Sequence, residues 1–146
     1  MNIDSKPKVN TVENTAETKE KLSLNILVAD DQEMMRELFK NFLESQGHKV
    51  KVVEDGELLL DELLRGNESY DVVVSDNNMP RKKGIEVLRE IRSMEGKFRT
   101  LPFIIATTDG PKLITEIDKL GGLYFEKPFA VEELSEAIRK VTKDKV

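Results

Sequence analysis

From Leu22 onward the chain alternates short apolar runs with longer segments in which apolar residues recur every three or four positions. Short runs bounded by turn signals read as buried strands, and the helical recurrence reads as amphipathic helix. The first strand is Asn25 to Ala29, and the helix after it carries Met35, Leu38, Phe39, Phe42 and Leu43 on one inward stripe. Gly47 stands where a left-handed helix cap is expected. A second strand covers Lys49 to Val53, and Gly56 opens a leucine-rich helix ending near Gly66. The third strand, Asp71 to Ser75, precedes a helix from Gly84 to Met94 with Ile85, Leu88 and Ile91 inward. The fourth strand is Pro102 to Thr107. Pro111 suits the first turn of the next helix, where no N–H is needed. That helix turns Leu113, Ile117 and Leu120 inward and stops at Gly121-Gly122. The fifth strand is Leu123 to Glu126, and a last helix places Val131, Leu134, Ile138 and Val141 on one face.

Strand-then-helix alternation predicts a parallel sheet covered on both faces. Five such units give an α/β, flavodoxin-like, doubly wound fold with strand order 2-1-3-4-5 and five helices. The residues before this pattern are polar and lack aromatics, so they cannot bury enough apolar area to offset the entropy of ordering them. We divide the chain into a tail or linker over 1–22 and one domain over 23–146.

Composition narrows the function classes. A net charge of −5 argues against a general nucleic-acid binder, which needs a basic stripe to displace counterions. With no cysteine there is no disulfide, thiolate nucleophile or cysteine-based zinc site, and a reducing cytoplasm is compatible. Apolar runs such as Phe103-Ile104-Ile105-Ala106 are strand-sized, far below the roughly 18 residues a membrane helix needs. His48 has no second histidine to join it, and reads as a solvated turn residue.

The chemistry sits where strands end. Asp30-Asp31 follow the first strand, Asp76 ends the apolar run Tyr70 to Ser75, Thr107 ends the fourth strand, and Lys127 follows the fifth. In open α/β sheets the carboxyl edge is where ligands bind. Each residue alone has a plainer reading: Asp31 as a helix cap, Asp76 as a turn acid beside Asn77 and Asn78, Thr107 as a buried hydroxyl, Lys127 as a solvated lysine. Their shared edge points instead to a site. Ionised carboxylates repel by about 4 kcal/mol per pair at about 4 Å and an effective dielectric of about 20. A hard cation with oxygen ligands, Mg²⁺, resolves that conflict and handles phosphate.

In this order and spacing the chain resembles a response regulator receiver domain of the CheY-like class from about Leu24 onward. The motifs are Asp30-Asp31, Asp76-Asn77-Asn78-Met79-Pro80, Gly84, Thr107 and Lys127-Pro128-Phe129. The resemblance implies that Asp76 accepts a phosphoryl group from a histidine kinase or phosphotransfer protein. Asp30, Asp31, Asp76 and the backbone carbonyl of Asn78 would hold Mg²⁺. Lys127 would pair with the phosphoryl group, and Thr107 and Tyr124 would form the switch. It also implies a cis Lys127-Pro128 bond, a cytoplasmic location and no enzyme activity beyond the domain's own phosphorylation and dephosphorylation. Output would pass to a protein target, or to a second copy in a homodimer, through the face of the fourth helix, fifth strand and fifth helix, near Tyr124, Lys112, Glu116 and Lys119. No nucleic acid enters this reading, since no DNA-binding module is expected after the last helix, where only Lys143 to Val146 remain, and no membrane enters it, since the apolar runs are only strand-sized. A module cut from a hybrid kinase or phosphorelay would look similar.

Three positions depart from the commoner pattern: Thr108 where a small residue is frequent, the basic loop Arg81-Lys82-Lys83, and the long N-terminal tail. Thr108 is expected to crowd the path of attacking water. A haloacid-dehalogenase-like phosphatase would need a second Asp where Gln32 stands. A flavin carrier would need a Ser/Thr-rich phosphate loop, and Asp30-Asp31 would repel the phosphate. A receiver used only for contacts would not need the full set of reactive residues.

Overall fold

The computed structural model describes residues 23–143, and the tail expected over 1–22 lies outside them. Short runs rich in Val, Ile, Leu and Phe suit a pleated, buried surface. They form β1 (Asn25–Ala29), β2 (Lys49–Val53), β3 (Val72–Asp76), β4 (Phe103–Thr107) and β5 (Leu123–Glu126). All pairings are parallel, in the expected order β2-β1-β3-β4-β5. Between them run α1 (Glu33–Ser45), α2 (Gly56–Arg65), α3 (Gly84–Arg92), α4 (Ile114–Lys119) and α5 (Val131–Val141).

Because successive strand residues point to opposite faces, β1 feeds two cores. Ile26 and Val28 join Phe39, Leu43, Leu134 and Ile138 beneath α1 and α5. Leu27 and Ala29 join Leu59, Leu63, Leu88, Ile91 and Ile117 beneath α2, α3 and α4. A strand buried on both sides has no polar alternation to show, which is why β1, β3 and β4 read as continuous apolar runs.

Several boundaries differ from the sequence reading. β3 is shifted by one residue. Asp71 stays outside it, with its carboxylate accepting the Asn25 N–H at 2.8 Å, and Asp76 becomes the last strand residue, opposite Ala106. α3 stops at Arg92, where the Ser93 hydroxyl turns back onto the Glu90 carbonyl. The helix expected from Pro111 opens as a 3₁₀ turn over Gly110–Leu113, leaving α4 only six residues. On α1 the sheet covers Phe39 and Leu43, while Leu38 is 46% exposed rather than inward. Gly47 does cap α1, at φ 99°, with its N–H on Glu44 and the His48 N–H on Leu43.

Candidate functional site

The loops that leave β1, β3, β4 and β5 at their carboxyl ends converge, as the sheet order requires. Asp30 is buried and Asp31 exposed, and neither side chain caps α1, whose N-cap is Gln32. Asp30 is held locally. Its Oδ1 accepts the Gln32 N–H at 2.9 Å and its carbonyl accepts from Arg36 at 2.9 Å. Asp76 completes the cluster: one carboxylate oxygen from each of Asp30, Asp31 and Asp76 lies within 4.8 Å of the others.

Lys127 bridges two of the three acids, with Nζ at 3.5 Å from Asp30 and 3.6 Å from Asp76. Its N–H donates to the Thr107 carbonyl at 3.0 Å, and the Lys127-Pro128 bond is cis. Phe129 then anchors the loop. Its ring meets Phe125 edge-on at 4.6 Å and lies parallel to Phe39 at 6.0 Å, so it ties the lysine loop to α1. Partial burial raises the Asp76 pKa above the ordinary carboxylate value. Lys127 opposes that shift, Asp30 adds to it, and the N–H groups of Asn78 and Asn77 oppose it. A half-buried carboxylate is thus kept near a cation, at the floor of a cleft of about 450 Å³ that Asp31, Met35, Leu38, Asn78, Thr108 and Phe129 also line.

Gly84 is required by close approach: a Cβ there would stand 2.5 Å from the Asp76 carbonyl. The basic loop is equally constrained. Arg81, at φ 73°, sits 3.4 Å from the buried Asp55 that caps α2, and Lys82 pairs with Glu90 at 3.0 Å.

The role of Asn77 and the part played by Asp109 escaped the sequence reading. Asn77 is buried; its Oδ1 accepts the Ile85 N–H at 2.9 Å and its Nδ2 donates to Asp109 at 3.0 Å. The same Asp109 oxygen takes the Asn78 amide at 3.1 Å, and the Asp109 N–H donates to the Thr107 hydroxyl oxygen at 3.1 Å. These bonds, led by that from Asn77, hold the Asp109 pKa below its usual value. Asp109 therefore ties the loop after β3 to the loop after β4. The local signal for it was slight: an exposed acid two residues past a strand end.

Thr107 is fully buried at the end of β4. Tyr124 packs its ring against the core beneath α4, and its hydroxyl is buried. Lys112 and Lys119 are exposed, whereas Glu116 is engaged by Arg89 of α3 at 2.6 Å. His48 is half-buried rather than solvated, its Nδ1 accepting the Leu24 N–H at 3.1 Å.

Relatives share this arrangement of sequence and fold. The response regulator receiver domain family matches residues 26–139. A chemotaxis protein CheY homolog of Campylobacter jejuni is 33% identical over 120 residues, 81% of this chain and 92% of that protein. The sensory/regulatory protein RpfC of Xanthomonas campestris is 33% identical over 119 residues, 80% of this chain but 16% of RpfC. Among solved structures, the receiver domain of a sensor histidine kinase from Pseudomonas aeruginosa has a magnesium ion coordinated in its active-site cleft. It superposes with a TM-score of 0.71 at 27% identity, covering 83% of this chain and 98% of that one. The chain belongs to the response regulator receiver domain family of two-component systems.

Proposed function

We propose that the protein is a cytoplasmic phosphoacceptor that takes a phosphoryl group from a histidine kinase or phosphotransfer protein onto Asp76. The observation that carries this is the packing of three carboxylates within 4.8 Å around a lysine that reaches two of them. A fold has no structural use for such crowding, which raises the energy of the free protein. The Asp76 carboxylate attacks phosphorus in line, the bond to the imidazole nitrogen of the donor breaks, and an acyl phosphate forms. Asp30, Asp31, Asp76 and the Asn78 carbonyl fit Mg²⁺ as an all-oxygen set. When bound, that ion neutralises the acids and the incoming phosphoryl oxygens. Lys127 pairs with the phosphoryl group as its contact with Asp76 is given up. Thr107 donates its hydroxyl proton to the same group while Asp109 holds the hydroxyl oxygen in place. Thr108, exposed beside Asp76, narrows the approach of hydrolytic water.

Output runs through α4, β5 and α5 to a protein partner, or to a second copy in a dimer. Thr107 and Tyr124 form the element with two arrangements. Shifting such an element from mostly inactive to mostly active takes about 5.5 kcal/mol, within reach of a phosphoryl group held by a lysine, a hydroxyl and a metal. Incubation with acetyl phosphate and Mg²⁺ tests the reading: mass spectrometry should show one added phosphoryl group, absent in Asp76→Asn. Uptake at the normal rate by that variant would reassign the acceptor. The likeness to RpfC and to a kinase receiver supports a second setting, a module within a phosphorelay. Phosphotransfer assays with kinases and with isolated phosphotransfer proteins distinguish the settings by which donor reacts faster.

A further inference from the structure

The sheet has two edges, β2 and β5, and they are finished differently. In a parallel pair, backbone groups of alternate residues face the neighbour. The Lys49 N–H donates to Leu24 and the Val53 carbonyl accepts from Asp30, so the backbone of Val50 faces outward from β2. That edge is blocked: Lys40 donates to the Val50 carbonyl at 3.2 Å, and the exposed Lys49 and Lys51 flank it. Charged side chains of this kind discourage strand addition.

At β5 the Lys127 N–H donates to Thr107, so the same alternation turns the backbone of Tyr124 and Glu126 to the open side. No side chain among the described residues plugs that side. Instead a groove of about 760 Å³ runs along the whole strand, bounded by one face of α5. Its floor is apolar, with Leu123, Phe125, Phe129 and Ala137, and its rim carries Glu126, Glu133 and Glu136 against the single Lys140. Glu133 also accepts the Ala130 N–H and Glu136 pairs with Arg139 at 3.0 Å, both at the exposed surface, where such contacts leave most of the acidic field in place.

We propose that this groove takes an extended, lysine- or arginine-bearing segment of a partner protein, added as a further strand to β5. Main-chain hydrogen bonds to Tyr124 and Glu126 would supply affinity, apolar side chains would fill the floor, and basic side chains would meet the glutamates. A second copy of the chain fits worse, because pairing two β5 edges would set one acidic rim against another. The proposal names a partner chemistry for the face assigned to output above, and it rests on that assignment.

The probe is a short synthetic peptide alternating valine and lysine, titrated into the ¹⁵N-labelled full chain without phosphate or metal. Amide exchange at Tyr124 and Glu126 should slow by about tenfold or more on saturation. Glu133→Gln and Glu136→Gln should each weaken binding by about two- to fivefold. A valine-glutamate peptide, or a valine-lysine peptide with proline at its centre, should bind far less well. Equal binding of either control overturns the proposal, as do unaltered Tyr124 and Glu126 amides, or a titration that instead makes the chain dimerise. A parallel arm adds beryllofluoride and Mg²⁺ alone. Shifts in α4 and Tyr124 there, with no peptide binding, would leave the output face standing and remove strand addition; peptide binding without those shifts would do the reverse.

Discussion

At the amino end of the sheet, Ser23, His48 and Asp71 each close on a backbone group, whereas at the carboxyl end Asp30, Asp31 and Asp76 crowd together around one lysine. Both ends hold polar side chains at strand termini, and both are partly shielded from water. The difference lies in pairing. His48 and Asp71 satisfy part-buried donors that folding would otherwise leave unmet, while Ser23 closes on Gly47 at the exposed surface, so these groups serve stability. Carboxyl-end groups repel one another, and on the proposed function they gain from a cation and a phosphoryl group, serving chemistry at a cost to the fold. Charge removed at one end should therefore do the opposite of charge removed at the other.

The largest effect belongs to Asp76→Asn, which should abolish phosphoryl uptake from acetyl phosphate. Because partial burial already disfavours the ionised form, the same change should raise the melting temperature, read by circular dichroism. A variant that loses uptake and also melts earlier would show that Asp76 supports the fold as well.

Asp71→Ala sharpens the comparison from the other end. It strands the Asn25 N–H at the start of β1, so urea unfolding should show a loss of about 1–3 kcal/mol. Phosphoryl uptake, at the far end of the strands, should stay within experimental error of the parent at a temperature where both are folded.

Returning to the acids, Asp31→Asn removes the exposed member of the cluster and should weaken Mg²⁺ binding by about tenfold in calorimetry, with stability unchanged or improved. Asp109→Ala probes the tie between the two loops. It frees the Asn77 and Asn78 amides and takes support from the segment that presents the Asn78 carbonyl. Mg²⁺ affinity should fall by about fivefold, the equivalent of one net hydrogen bond. Unchanged affinity would mean that the Asn77 bond to Ile85 suffices to hold the loop.

Much of this is legible in the sequence, because the signals are local. A strand that stops on Asp76, an acid pair after β1 and a lysine after β5 declare themselves within a few residues, and right-handed parallel pairing then brings them to one edge. What escaped was set by distance along the chain. Asp109 acquires its role from Asn77 and Asn78, more than thirty positions earlier, and from Thr107 only through its backbone. Leu38 fits the apolar stripe of α1 yet faces the cleft, because the sheet covers only the part of that stripe centred on Phe39 and Leu43. Arg92 looks like a surface cation, but its guanidinium donates to the carbonyls of Phe98 and Leu101 and to Leu120 at the end of α4. His48 belongs to the same class. Nothing adjacent to it signals that the Leu24 N–H lies across the turn.

That histidine gives the smallest and most specific test of the amino end. Its Nδ1 can accept from Leu24 only while unprotonated, and burial, with a smaller contribution from Arg139 of α5, lowers its pKa against an opposing pull from Asp71. A folded-state pKa below the unfolded value of about 6.5 means the unfolded chain binds the proton first as pH falls. The stability that His48 contributes is thus fully present above about pH 6.5 and is lost as pH drops through the lowered folded value. Urea midpoints taken between about pH 5 and 8 should decline on the acid side more steeply in the parent than in His48→Asn, which cannot titrate there. Parallel declines in the two proteins would move the acid sensitivity to carboxylates elsewhere, and with it the claim that His48 is a paired structural group like Asp71.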